Sequence, residues 1–302
     1  MEAAEQDTRP RQRPGHVYAI VAAGLLSFSI SPILIRFAGE APGLAVAVWR
    51  TVFAVLMLAP FAWFRIGAEV RAFSGRERLL VGAAGVLLGL HFVTWIESLY
   101  HTSVASSTVI LSVTPLLLAV FSYWWLGESF SSRLIVSIVL AMAGTALIAW
   151  GDSQDPSVTT SLLGNGLALS AAFLQCFYLL IGRVIRRKTS WMAYVFPLYV
   201  VAALTTLGVA LWREVPLFGY DPVIYLLCAL MAFFPQILGH GSFNFALRFV
   251  RATVLGLLAL TEPVVASFLA FLLFEEMPSG VALSGMALVL FAVAVVMIRQ
   301  RA

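Results

Sequence analysis

The chain has 302 residues, of which 61% are hydrophobic and 11% are charged, and its formal net charge is +4. So few polar side chains cannot coat a soluble globule of this length, which excludes a soluble enzyme and makes nucleic acid an unexpected partner. The composition predicts an all-α integral membrane protein with the lipid bilayer as its surroundings.

Residues 1–14 mix acidic and basic side chains, among them Glu2 and Arg9. The apolar run that follows is longer than the core of a signal peptide and lacks a clear cleavage site. We therefore expect residues 1–14 to form a cytoplasmic tail.

Ten continuous apolar stretches of roughly 18 to 24 residues come next, each long enough to cross a hydrocarbon core of about 30 Å. A membrane β-barrel would instead show segments of about ten residues with alternating polarity. The ten predicted spans are 18–35, 43–64, 79–100, 104–125, 134–150, 162–182, 192–212, 223–247, 253–274 and 280–298.

The second half of the chain repeats a pattern of the first. The segment TPL…LGES at 114–129 recurs as EPV…FEEM at 262–277, so that its proline and acidic residues keep their spacing 148 residues later. We expect two five-helix repeats, at 15–152 and 153–302. Because five is odd, the second repeat must lie upside down relative to the first, an arrangement found in many transporters.

The basic residues predict the orientation, since lysine and arginine collect on the cytoplasmic side. With the N-terminus inside, sixteen of the 19 basic residues face the cytoplasm, Arg36 and Arg213 lie outside, and Arg50 lies within a span. We expect a multi-pass protein of the cell inner (plasma) membrane with both termini in the cytoplasm.

Several motifs identify a family: Trp49-Arg50 in the second span, the signatures at 114–116 and 261–263, and the helix ending Gly127-Glu128. With them the chain resembles the EamA type of the drug/metabolite transporter superfamily over nearly everything after about residue 15. Within it, the third span is similar to that of the YddG-type amino-acid exporters. The resemblance implies a secondary transporter whose two repeats enclose a central cavity that opens alternately to each side. Glu275 departs from the pattern, because the first copy has Gly127 at that place.

Four ionisable residues within the predicted spans stand out, because a charge is costly there and usually functional. Arg50 and Glu97 either form a structural ion pair or provide an outer electrostatic site, with Arg50 anchoring a substrate carboxylate. Glu262 is either a proton carrier or a buried carboxylic acid bonded to nearby backbone. His91 is either a helix-to-helix contact or a cavity residue that could also couple protons.

Other residues are candidates for substrate binding through their spacing. His91 and Trp95 are four apart and share a helix face, and Gln175 and Tyr178 are further polar candidates on the sixth span. On the eighth span one helical stripe carries polar and aromatic side chains, which predicts that it faces protein or water. The stripe consists of Gln236, His240, Phe243 and Asn244. We predict that Phe243 and Asn244 bind the substrate.

Pro115 and Pro263 occupy matching places in the two repeats, each after a polar residue, Thr114 and Glu262. Proline removes a backbone hydrogen bond, so both helices are expected to be interrupted there. Paired interruptions of this kind predict a binding site near the membrane midplane.

The chain has no P-loop and no His-Glu-x-x-His, so we expect no bound nucleotide, no metal and no other cofactor. The predicted function is export of amino acids, aromatic and others, and of related metabolites, with a small molecule as partner and protons as a candidate coupling ion. Two alternatives stay open: a flippase or transporter of another metabolite, drug or lipid-linked substrate, and an intramembrane hydrolase using Ser284 beside Gly285. Packing of small residues in the tenth span explains Ser284-Gly285 better than a catalytic role does.

Overall fold

The computed structural model describes residues 15–63, 66–102, 104–152, 161–274 and 279–299. Within these residues the chain is helical and contains no strand. The helices are α1 (Gly15–Ser29), α2 (Ser31–Phe37), α3 (Gly43–Trp63), α4 (Gly67–Arg71), α5 (Gly75–His101), α6 (Val104–Leu111), α7 (Thr114–Leu126), α8 (Ser132–Asp152), α9 (Leu162–Ile185), α10 (Trp191–Trp212), α11 (Pro222–Met231), a π-helical segment (Ala232–His240), α12 (Gly241–Ala246), α13 (Ala252–Ala259), α14 (Glu262–Phe274) and α15 (Gly280–Arg299). The predicted tail 1–14, the start of the second repeat at 153, and Glu275 lie outside the described residues.

The described chain has ten helices or runs of consecutive helices that are long and apolar enough to cross a membrane. In chain order they are α1–α2, α3, α5, α6–α7, α8, α9, α10, α11–α12 with the π-helical segment between them, α13–α14 and α15. The prediction of an all-α membrane protein with ten spans is confirmed. We call the side where α1 begins and α15 ends the terminal face.

The helix bounds display the repeat directly. Val104 and Ala252 begin α6 and α13, and Thr114 and Glu262 begin α7 and α14, each pair being 148 residues apart. The same offset separates the starts of α3 and α10 and those of α8 and α15. Because each half contributes five spans, the two repeats run in opposite directions through the membrane, as the sequence predicted.

Close helix contacts use glycine where a side chain would not fit. A Cβ on Gly85 of α5 would lie 2.5 Å from Cβ of Val201 on α10, and one on Gly89 would lie 2.8 Å from the Ala202 carbonyl oxygen. Gly82, one turn earlier on α5, would meet nothing within 4 Å. These contacts bring α5 against α10 at van der Waals distance.

The ends of two helices follow from local chemistry. The Ser74 hydroxyl accepts a hydrogen bond from the Glu77 amide, and the Glu77 carboxylate accepts one from the Ser74 amide, so α5 begins at Gly75, before the apolar run. At the terminal face Gly127 ends α7 with φ 65°, a left-handed conformation that glycine adopts without steric cost. The helix ending expected at Gly127-Glu128 is thus confirmed.

Two irregularities were not predicted. The first span bends between α1 and α2 at Ile30, two residues before Pro32. The eighth span contains the π-helical segment, with Pro235 inside it. A π-helix has wider turns than an α-helix and often occurs at functional sites, so it alters which side chains of this span meet the rest of the bundle.

Candidate functional site

The fourth and ninth spans are both interrupted at the predicted prolines. Helices α6 and α7 are separated by two residues before Thr114-Pro115, and α13 and α14 by two residues before Glu262-Pro263. Since Pro115 has no N–H for the carbonyl of Leu111, the Thr114 hydroxyl donates to that carbonyl at 2.7 Å instead. At the second break the Thr261 hydroxyl donates to the Leu258 carbonyl at 2.7 Å, whereas the carbonyl that Pro263 leaves without its helical donor is that of Ala259.

The two interruptions line one cavity. It contains about 470 Å³ of space not filled by protein atoms, part of it continuous with the outside. A Cβ on Gly256 would lie 3.2 Å from Cα of Pro115, so α13 crosses the fourth span directly at its break. The lining residues are Thr108, Leu111, Ser112, Thr114, Pro115, Thr145, Gln175, Leu179, Phe243, Gly256, Ala259, Leu260, Glu262 and Pro263.

Glu262 supplies the carboxyl group of this cavity. Its backbone carbonyl accepts a hydrogen bond from the Ser29 hydroxyl at 3.2 Å, which ties the start of α14 to the first span. In the described part of the chain no cation lies within 4.0 Å of its carboxylate, although Arg50 is within electrostatic range. Gln175 also lines the cavity, and its Oε1 lies 3.5 Å from the Thr114 hydroxyl.

A second set of polar residues lies beside the cavity and is almost completely buried. We call it the buried polar cluster. It consists of Arg50, His91, Tyr178, Tyr199, Gln236 and His240, none of which is more than 3% exposed. Its side chains come from α3, α5, α9, α10 and the π-helical segment. It therefore joins spans of both repeats.

Arg50 has few partners for a buried cation. Its Nε donates to Oε1 of Gln236 at 3.2 Å, and its guanidinium carbon lies 4.2 Å from the ring centre of Phe92. The Tyr199 hydroxyl donates to the backbone carbonyl of Gln236 at 2.7 Å. The Nε2 atom of Gln236 has no hydrogen-bond partner.

The two histidines of the cluster are fixed by different partners. Nδ1 of His91 donates to the carbonyl of Ala171 at 3.0 Å, which sets the tautomer of that ring. Nδ1 of His240 lies 2.8 Å from the Tyr178 hydroxyl. The two imidazole centres are 5.8 Å apart.

The structure does not bring all predicted site residues to the cavity. Gln175, Phe243, Glu262, Pro115 and Pro263 line it, whereas the remaining substrate-binding candidates are buried elsewhere. Trp95 is 6% exposed within an apolar cluster that includes Ile35 and Ala171. Asn244 is fully buried, and neither of its side-chain amide atoms has a partner.

An ion pair between Arg50 and Glu97, one of the two alternatives considered from the sequence, is absent from the described residues. Arg50 turns to Gln236, and Glu97 reaches His101 one helical turn further, with 3.7 Å between Oε2 and Nε2. Glu97 lies near the end of α5 on the face opposite the termini, and its side chain is 27% exposed. The Arg50 guanidinium and the Glu97 carboxylate therefore belong to two separate sites.

The stripe on the eighth span, which was predicted to face protein or water, is buried in protein. Its four members, Gln236, His240, Phe243 and Asn244, are at most 3% exposed. Sequence reasoning did not single out three hydroxyl residues of the cavity, Thr108, Ser112 and Thr145. The signal was available for two of them, because Thr108 and Ser112 share a helix face with Pro115 through the i, i+4, i+7 spacing.

The serine considered for hydrolysis has a structural explanation. Ser284 is exposed on α15, and its hydroxyl donates to the Val281 carbonyl at 2.7 Å. The neighbouring Gly285 packs so closely that a Cβ would lie 2.5 Å from the Gly144 carbonyl oxygen of α8. Small residues at 284–285 thus serve the contact between α8 and α15.

Comparison with known protein families identifies the family of this chain. The model of the EamA-like transporter family matches residues 13–150 and again residues 162–298. The two matches correspond to the two halves of the structure.

Three bacterial relatives are similar in sequence. YxxF, an uncharacterized transporter of Bacillus subtilis (strain 168), is 23% identical over 275 residues, 86% of this chain and 83% of that protein. YetK, an uncharacterized transporter of the same bacterium, is 25% identical over 207 residues, 67% of this chain and 62% of that protein. A probable terminal-alkyne amino-acid exporter of Streptantibioticus cattleyicolor is 32% identical over 135 residues, 43% of this chain and 42% of that protein.

A protein of known crystal structure has the same architecture. It superposes with a TM-score of 0.79 and covers 96% of this chain and 99% of its own, at 17% sequence identity. At that identity the likeness concerns the fold alone.

Proposed function

Since the chain belongs to the EamA-like transporter family, and is a membrane transporter rather than an enzyme, we propose that it exports amino acids and related metabolites by alternating access. Its substrates are aromatic and other amino acids. The similarity of about two fifths of the chain to a probable amino-acid exporter supports this substrate class.

One observation carries the proposal. The breaks before Pro115 and Pro263 belong to opposite repeats, and both line the same cavity. Interrupted helices expose backbone and side-chain polar groups at mid-membrane. These groups can form hydrogen bonds with a polar substrate in place of those it formed with water. Because the repeats are inverted, exchanging their conformations would open the same cavity to the other side.

The candidate residues receive roles within this proposal. Gln175, Phe243 and Glu262 contact the substrate in the cavity. His91, Trp95, Tyr178 and Asn244 join the site when the spans separate, since they lie on the helices that surround it. Glu262 and His91 are the proposed proton-coupling groups, and Glu97 is a proposed charge-handling residue near the face opposite the termini.

The proposed location is the cell inner membrane, with the terminal face in the cytoplasm. The terminal face carries most of the basic residues of the described chain, including Arg76 and Arg133 in the first turns of α5 and α8 and Arg187 just after α9, whereas the opposite face has Arg36 and Arg213. This asymmetry is the one that membrane insertion produces.

Transport by the purified protein in liposomes tests the proposal. Radiolabelled phenylalanine and leucine should exchange across the membrane, and Phe243→Ala should reduce the rate because that ring lines the cavity. Phe291→Ala is the matched control, since Phe291 is 60% exposed on the outer surface of α15. Absence of exchange for both amino acids, with nucleosides or cationic drugs exchanging instead, would overturn the proposed substrate class.

A further inference from the structure

Arg50 is a buried cation without a counterion in contact. It is 1% exposed, and in the described residues no carboxylate oxygen lies within 4.0 Å of its guanidinium. Removing a charge from water costs several kcal/mol unless a partner compensates it. Among the described residues its hydrogen-bond and ring contacts are with Phe92 and one amide oxygen, both uncharged.

Around Arg50 there are more hydrogen-bond donors than acceptors. The guanidinium has five N–H donors, of which the described contacts use the one at Nε. Beside it, Nε2 of Gln236 is buried with both hydrogens unbonded. A group that accepts several hydrogen bonds and brings a negative charge would satisfy both side chains, and a carboxylate does so through two oxygens.

Gln236 is held in place by its backbone. The Tyr199 hydroxyl bonds to its carbonyl, and the π-helical segment fixes its position in the eighth span. Its side chain is also oriented by the bond that Oε1 accepts from Arg50. Nε2 is therefore presented next to the guanidinium without a change in the helix.

Charge of the opposite sign lies on the cavity side. Glu262 lines the cavity and is within electrostatic range of Arg50. A molecule with one negative and one positive end would complement these two charges. An α-amino acid has this distribution, with the carboxylate toward Arg50 and the ammonium toward Glu262.

An aromatic wall separates the two positions in this conformation. Phe243 lines the cavity and meets Phe28 edge-on at 5.0 Å, and Phe28 meets His240 edge-on at 4.7 Å. The ring of His240 is 5.0 Å from Phe92, which lies under Arg50. Displacing Phe28 and Phe243 would join the cavity to the arginine.

On the basis of the proposed export of amino acids, we propose that Arg50 and Gln236 form the subsite for the substrate carboxylate, opposite Glu262. The substrates are then zwitterionic α-amino acids, and amines of the same shape are poor substrates. The wall formed by Phe28 and Phe243 closes this subsite in the present conformation.

Two sets of probes test the subsite: phenylalanine, phenethylamine and 3-phenylpropionate, and leucine, isoamylamine and 4-methylpentanoate. Within each set the side chain is constant and one charged group is removed. Binding to the purified protein is measured by competition against the labelled amino acid. The wild-type protein should prefer the amino acid over its amine by about 10- to 100-fold, the range of a charged hydrogen bond.

Arg50→Met should abolish this preference, because methionine fills much of the space but offers no charge. The unfolding temperature of the ligand-free variant should not fall, since an uncompensated buried charge is removed. A purely structural arginine would give the reverse, with a lower unfolding temperature and an unchanged preference.

Arg186→Met is the matched control. Arg186 is also 1% exposed, but its donors bond to the carbonyls of Asn244 and Thr189. This variant should unfold at a lower temperature and keep the preference for the amino acid over the amine.

Gln236→Glu provides an independent variant if Arg50→Met does not fold. Its carboxylate should pair with Arg50 and replace that of the substrate, so amino-acid affinity should fall at least tenfold while amine affinity does not. An unchanged preference in either folded variant, with wild-type binding intact, overturns the carboxylate subsite alone. If the wild-type protein binds neither amino acid, the proposed substrate class fails as well.

Discussion

Gly85 and Gly82 offer a test of how the site is assembled. Both lie on α5, one turn apart, and only Gly85 faces α10. A Cβ at position 85 would lie 2.5 Å from Cβ of Val201 and 2.9 Å from the backbone oxygen of Leu198. The backbone oxygen cannot rotate away, so Gly85→Ala must push the two helices apart.

The size of the effect follows from these contacts. Overpacking a tight interface costs about 1–3 kcal/mol. Replacing glycine by alanine inside a helix gains up to about 1 kcal/mol, and Gly82→Ala shares this gain without the steric cost. The two variants should therefore differ by about 1–3 kcal/mol in unfolding free energy. At about 2–4 °C per kcal/mol, the scaling for 150–250 residues, this is a difference of several degrees.

The assay can use the chain's own cysteines. Cys176 and Cys228 are both buried and free, so a thiol-reactive dye should report unfolding as they become exposed. Gly85→Ala should also slow transport, because α5 carries Phe92 and α10 carries Tyr199, which contact Arg50 and Gln236. Equal unfolding temperatures and equal transport rates for the two variants would refute the assigned contact between α5 and α10.

Three further predictions concern other parts of the molecule. Glu262→Gln should abolish the response of the steady-state substrate ratio to an imposed pH gradient in liposomes, and a response equal to that of the parent would exclude Glu262 as the proton-coupling group. Gly127→Ala should lower the unfolding temperature by the equivalent of about 1–2 kcal/mol, because φ is 65° there; an unchanged temperature would contradict this. In intact cells a membrane-impermeant thiol reagent should label Arg213→Cys and leave Arg71→Cys unlabelled until the cells are opened, and the opposite pattern would reverse the proposed orientation.

Local chemistry explains why part of the site was predictable. The breaks before Pro115 and Pro263 arise because proline lacks a donor, and no tertiary contact is needed to produce them. Their meeting in one cavity also followed, since inverted repeats bring equivalent elements together at mid-membrane. Glu262 belongs to the same set, since it directly precedes Pro263 in the sequence. The position of Gln175, with Oε1 3.5 Å from the Thr114 hydroxyl, required the structure.

The positions of the remaining candidates required the structure. His91 and Trp95 share a helix face as predicted, but packing against α9 gives His91 the Ala171 carbonyl and places Trp95 in an apolar cluster. The partner of Arg50 also required the structure, because the sequence suggested Glu97 and the structure shows Gln236. The π-helical segment changes the turn width of the eighth span, so Gln236 reaches Arg50 where an α-helical reading gives no reason to expect it.

The sequence by itself determined the membrane environment, the ten spans, the inverted repeat and the two interruptions, because hydropathy, chain length and proline act within a single segment. The tertiary structure decided which polar side chains face the cavity and which pair with one another. Those choices depend on the rotation and separation of neighbouring helices. They are set by contacts between segments far apart in the chain, such as Gly85 with Val201 and Arg50 with Gln236.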